Sequence, residues 1–137
     1  MRFAAGLAAV TALILPGAAR TQLLACEGAQ KPQQVVELMF GGVVAEGMAV
    51  TDDEWTGFVD REITPRFPDG LTMFRAAGQW REPSTDRIVR EPSWVVLIVL
   101  PGKPSDLARV NEIAQAYKLR FKQRSVAVIL RPGCVSF

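Results

Sequence analysis

Apolar and polar positions alternate with a period of two over residues 34–44. Val36, Leu38 and Phe40 fall on one face, and Val35, Glu37 and Met39 on the other. That pattern predicts a β-strand. The period changes after residue 50. Thr51-Asp52-Asp53-Glu54 has the form of a capping box, in which the threonine hydroxyl accepts from the Glu54 amide and the glutamate reaches back. Trp55, Phe58, Val59 and Ile63 follow at helical spacing, and Pro65 sets the end of this helix, because the residue before a proline avoids helical geometry. Pro68-Asp69-Gly70 reads as a turn, 71–80 as a second strand and 82–86 as a hairpin tip. A third strand is predicted over 88–100, with a bulge or irregularity at Pro92. Its centre, 94–100, is apolar on both faces, which marks a central strand. Beyond Pro101-Gly102 comes a second helix, capped by Ser105, with Leu107, Val110, Ile113, Ala114, Tyr117 and Phe121 as its buried stripe. Residues 125–131 give a fourth strand ending at Pro132-Gly133.

The order β-α-β-β-α-β is that of the split βαβ arrangement. The expected fold is an α+β, ferredoxin-like sandwich: a four-stranded antiparallel sheet with two helices on one face. Right-handed crossovers put the first and third strands in the middle. The face without helices then carries Val35, Met39, Val95, Leu97 and Val99, with Glu37 as its main polar intruder. An apolar face of that extent wants covering, either by a second copy in a homodimer through the open sheet face or by the N-terminal lead-in folding back over it.

The N-terminus changes the compartment. Arg2 precedes an apolar run over 3–15, Pro16-Gly17 breaks it, and Gly17-Ala18-Ala19 supplies small residues for cleavage. Residues 1–19 therefore read as a signal peptide, too short to span a bilayer. Residues 20–33 are a polar lead-in and 34–137 a single domain, in a chain whose 137 residues suit one core. The protein is expected to be exported, periplasmic or secreted. Leu23-Leu24-Ala25-Cys26 also has the form of a lipobox, so the alternative is a lipoprotein anchored to the membrane at Cys26. The chain has two cysteines, Cys26 and Cys134, and outside the cytoplasm two cysteines most often pair.

Composition removes several function classes. Histidine is absent, and with it the commonest general base and metal ligand. The net charge of +2 arises from mixed signs, which gives no electrostatic footprint for nucleic acid. Gly41-Gly42 lacks the lysine and hydroxyl of a phosphate loop, and no cluster has metal-ligand spacing. No catalytic constellation, metal or cofactor is expected.

Three groups of residues stand out as ligand-binding candidates. Arg66 and Asp69 flank the turn into the second strand; they read as a charged pair at a pocket mouth or, more plainly, as a helix cap and a turn residue. Gln79, Trp80, Arg81 and Glu91 converge where the second and third strands pair, either as a wall of a small-molecule site or as a half-buried aromatic beside a solvated ion pair. Glu37, in mid-sheet, needs Arg75, Arg131 or a ligand as its partner.

Thr64-Pro65-Arg66-Phe67-Pro68-Asp69-Gly70-Leu71-Thr72, with Phe40-Gly41, Gly78-Gln79-Trp80-Arg81, Arg90-Glu91-Pro92-Ser93 and Tyr117-Lys118-Leu119-Arg120-Phe121, resembles the bacterial family catalogued as domain of unknown function 3574. The likeness runs from about Val35 to Phe137. This chain has Gly42 where the family typically carries arginine or another polar residue. The resemblance implies an exported ferredoxin-like domain and brings no activity with it. Two readings of function follow: a non-catalytic binding or interaction module of the cell envelope, or a small-molecule enzyme of the dimeric α+β-barrel type with its site on the open sheet face.

Overall fold

In a computed structural model of the chain, the described residues are 25–44 and 47–137. The expected signal peptide lies outside them. The elements are β1 (Lys31–Gly41), α1 (Asp52–Phe58), β2 (Thr72–Arg81), β3 (Ile88–Val99), α2 (Asp106–Phe121) and β4 (Ala127–Val135). The sheet order is β2-β3-β1-β4, antiparallel throughout. This is the ferredoxin-like α+β sandwich, with β1 and β3 central.

Both ends of β1 and β4 differ from the sequence reading. β1 starts at Lys31, because Lys31 and Pro32 pair with Val135 and Cys134. β4 likewise continues through Pro132 and Gly133, opposite Gln34 and Gln33. An edge strand tolerates a proline that a central one would not. Beside this pairing Cys26 and Cys134 form a disulfide, with Cα atoms 5.5 Å apart and a sequence separation of 108. The bridge occupies the sulfur that a lipid anchor at Cys26 would need. It also points to an oxidising compartment outside the cytoplasm.

The bulge or irregularity expected at Pro92 is absent: Ala77↔Pro92 and Gly78↔Glu91 continue the register without a break. A strand residue directs its N–H and C=O toward the same neighbour. The Pro92 carbonyl accepts from the Gly42 amide at 2.8 Å, so the N–H that proline lacks would point past the end of β1. No ladder bond is lost.

α1 opens on the capping box: Thr51 Oγ1 accepts from the Glu54 amide at 3.3 Å, and the Thr51 amide donates to Glu54 Oε2 at 2.9 Å. The helix then widens into a π-helical turn, Val59–Ile63, where the Thr64 amide donates to the Val59 carbonyl. Pro65, next in line, has no N–H with which to continue an α ladder. At α2 the capping atom is not Ser105, whose side chain makes no capping bond. Asp106, the first helical residue, instead fastens the preceding loop, its Oδ2 accepting from the Gly102 and Lys103 amides, each at 2.8 Å. Leu107 is 52% exposed; the buried i, i+4 row of Ala114 and Val110 runs back to Asp106.

The core lies between the helices and one face of the sheet. Val36, Leu38, Phe40, Val96 and Ile98 from the central strands are buried against Trp55, Phe58, Ile63, Val110, Ile113 and Tyr117. Phe40 sits among three aromatic rings, with centroids 5.2 Å from Trp55, 6.0 Å from Phe58 and 4.7 Å from Tyr117. Trp55 also stacks on Trp94 at 4.8 Å.

Denaturant melts should show Thr51→Ala losing about 1 kcal/mol with the cap and Trp55→Ala losing about 3–5 kcal/mol with the ring stack. The reverse ranking would contradict this packing. Replacing both cysteines by serine should cost at most about 4–5 kcal/mol, the chain-entropy value for so long a loop.

Candidate functional site

Because side chains alternate across a strand, burial of Val36, Leu38 and Phe40 under the helices turns Val35, Glu37 and Met39 to the other face. The register sets Glu37 opposite Leu97 on β3 and Ile129 on β4, with Val99 and Arg131 opposite Val35. Phe74 joins them from β2, opposite Val95. This open face partly shields itself: Val95 is buried and Val35, Leu97 and Val99 are half-buried. Glu37 has its partner in Arg131, one strand away. The other candidate, Arg75, is on the helix side, where it pairs with Asp52 and lies 5.2 Å over the Trp94 ring.

At one end of the open face is a groove of about 380 Å³. Leu97 and Val99 contribute apolar wall, Gln33, Asp69 and Thr72 contribute polar groups, and Phe137 stands beside it. Asp69 is the one charged side chain in its lining. Arg66, at the other side of the same turn, is directed elsewhere. Arg66 Nη1 donates to the Glu62 carbonyl at 2.7 Å and pairs with the Glu62 carboxylate at 2.9 Å, while Nε pairs with Glu112 at 3.1 Å. The arginine thus closes the end of the first helix and ties it to the second.

The Gln79, Trp80, Arg81 and Glu91 group divides in two. Trp80 Nε1 donates to Glu91 Oε1 at 3.1 Å, and Glu91 Oε2 accepts from the Val43 amide at 3.0 Å. Gln79 and Arg81, one residue to either side, take the opposite face of β2, and Arg81 pairs with Asp86 at the hairpin tip. The Trp80–Glu91 pair serves the loop after β1. Tyr117 Oη donates to the Gly41 carbonyl at 2.7 Å, and Gln123 Nε2 donates to the Val43 carbonyl. A Cβ on Gly41 would lie 3.0 Å from Glu91 Oε1, and one on Gly42 only 2.4 Å from the Pro92 carbonyl oxygen. Gly42 therefore stands where any side chain would collide with backbone.

Sequence reasoning missed one charged cluster. Asp106, 3% exposed, pairs with Arg109. Arg109 Nη1 donates to the Arg66 carbonyl, and its guanidinium lies 4.7 Å over the Phe67 ring. The cluster fixes the 64–69 turn against the start of α2. Its one sequence signal was an aspartate at the first position of the second helix. Among the described residues, no three His, Cys, Asp or Glu side chains are placed to hold a metal ion, and no helix is long and apolar enough to cross a membrane.

Residues 35–137 match the family described as "Protein of unknown function (DUF3574)". No curated protein matches the chain. Among solved structures, a phage SAM lyase in complex with S-methyl-5′-thioadenosine is similar over 85% of this chain and 97% of its own, with 16% identity and a TM-score of 0.60. A phage SAM lyase in the apo state is similar over 81% and 87%, with 20% identity and a TM-score of 0.58. At such identities the likeness is one of fold.

Two outcomes test the loop anchor. Gly42→Ala should destabilise by about 1–3 kcal/mol, as forced overpacking does, and raise protease sensitivity around residues 42–50. Tyr117 is the chain's single tyrosine, and burial, then the Glu91 and Glu54 carboxylates, push its hydroxyl above the ordinary value. A group raised in the folded state contributes stability below its unfolded value, near 10, and loses it as pH climbs further. Phenolate absorbance in the native protein should stay flat past pH 10 and rise only with unfolding; ionisation at the ordinary value with the fold intact would refute the buried bond.

Proposed function

We propose that this chain, which belongs to the DUF3574 family, is an exported, non-catalytic small-molecule-binding module of the cell envelope whose site is the groove on its open sheet face. The observation that carries this reading is the groove itself. Its volume of about 380 Å³ falls within the range of about 300–1,000 Å³ typical of small-molecule sites. Its make-up is also typical of such sites, an apolar wall with a few convergent polar groups. With Asp69 as the one charged side chain in the lining, the groove favours neutral or cationic ligands over anions. The Cys26–Cys134 bridge supports the compartment.

A second reading, an enzyme using the same face, is favoured by the fold shared with phage SAM lyase. Glu37, ion-paired to Arg131 opposite Leu97 of the groove wall, is the carboxylate such an enzyme would use as its base.

Thermal melts with S-methyl-5′-thioadenosine and with benzylamine as probes test the groove. A ligand at about a hundred times its Kd adds about 2.7 kcal/mol to stability. At least one of the two should raise the Tm, benzoate should not, and Leu97→Trp, which fills the groove, should abolish the shift. A shift that Leu97→Trp leaves intact would place the site elsewhere. Incubation with SAM separates the two readings: the binding module leaves it unchanged, whereas conversion lost on Glu37→Gln would establish the enzyme.

A further inference from the structure

β4 lies at the edge of the sheet and, among the described residues, pairs only with β1. Its outer side therefore presents a row of backbone N–H and C=O groups with no partner strand. Natural sheets blunt such edges with charges, prolines or bulges. β4 has none over Ala127-Val128-Ile129-Leu130; the first charge is Arg131 and the first proline Pro132. β2, the other edge, carries Arg75 in mid-strand.

Burial sharpens the contrast. Val128 and Leu130 face the helix layer, opposite Leu38 and Val36, which are wholly buried. Yet Val128, Ile129 and Leu130 are 41%, 42% and 42% exposed. Among the described residues, then, the apolar side chains of this strand are left partly uncovered on both of its faces. The open face is different, since Val95 is buried there without help and the Glu37–Arg131 pair interrupts it.

We infer that β4 is a self-pairing edge, joining two copies of the chain antiparallel into one eight-stranded sheet. A two-fold axis through Ile129 makes the strand its own complement, as an isologous contact requires. Ile129 meets its counterpart, Val128 meets Leu130 of the second copy, and Arg131 meets Ala127, so no like charges face one another. Val128 and Leu130 from both copies then fill the trough left between the two helix layers. Pro132 limits the pairing to about residues 127–131. The open face, with its groove, stays accessible in each copy. This places self-association at the edge, where the sequence alone suggested the open face.

Light scattering on the protein at micromolar concentration should report a dimer. Val128→Lys, on the helix side of the edge, should give a monomer with unchanged circular dichroism and an intact disulfide. Leu97→Asp, on the open face, should remain dimeric. Hydrogen exchange supplies a reading free of substitution: alternate amides within 127–131 should be slow in the dimer and become fast on dilution. A monomer at every concentration, a dimer that survives Val128→Lys, or one that dissociates on Leu97→Asp would overturn the proposal.

Discussion

The fold depends on the packing around Phe40. This ring ends the buried row of β1 and touches Trp55 and Phe58 of α1 and Tyr117 of α2, so one side chain holds both helices to the sheet. Such aromatic contacts add to an already large area of burial. The next residue turns that packing into loop geometry: Tyr117 spends its hydroxyl on the Gly41 carbonyl, and the chain leaves the sheet along a path that only a glycine at 42 permits. Loss of the ring would therefore loosen the helices and the loop together.

Three carboxylates in this protein serve backbone amides at the ends of elements. Glu54 receives the Thr51 amide, Glu91 that of Val43, and Asp106 those of Gly102 and Lys103. Each holds the chain where it enters or leaves a regular element, and hydrogen bonds to ionised acceptors are the stronger kind. This explains why motif residues such as Glu91 and Trp80, which in sequence resemble a binding wall, turn out to be anchors. The acidic groups left on the open face are Glu37, already paired, and Asp69, at the groove.

Much of the fold was legible because its signals are periodic. The capping box, the buried row of β1 and the doubly apolar β3 each follow from residue spacing, and the strand order follows from handedness. Strand ends were less legible, since Pro32 and Pro132 look like terminators until their cross-strand partners are known. The π-helical turn before Pro65 carries no local signature. For the candidate site, Glu37 could be named from strand faces, with Arg75, Arg131 or a ligand as its partner, and the structure selects Arg131. Arg66 as a helix cap and the alternation that parts Arg81 from Trp80 are likewise local signals, whereas the pairing of Arg66 with Glu112 on the second helix and of Glu91 with the Val43 amide depends on the tertiary fold.

The pairing of β1 with β4 joins the first strand to the last, and the disulfide fastens the same two ends. During synthesis β1 must wait for the final residues before its second ladder can form. Contacts of such long range are slow to make. The ladder and the bridge therefore close over the same stretch of chain, so that reducing the disulfide frees an edge strand at the end where it meets the lead-in.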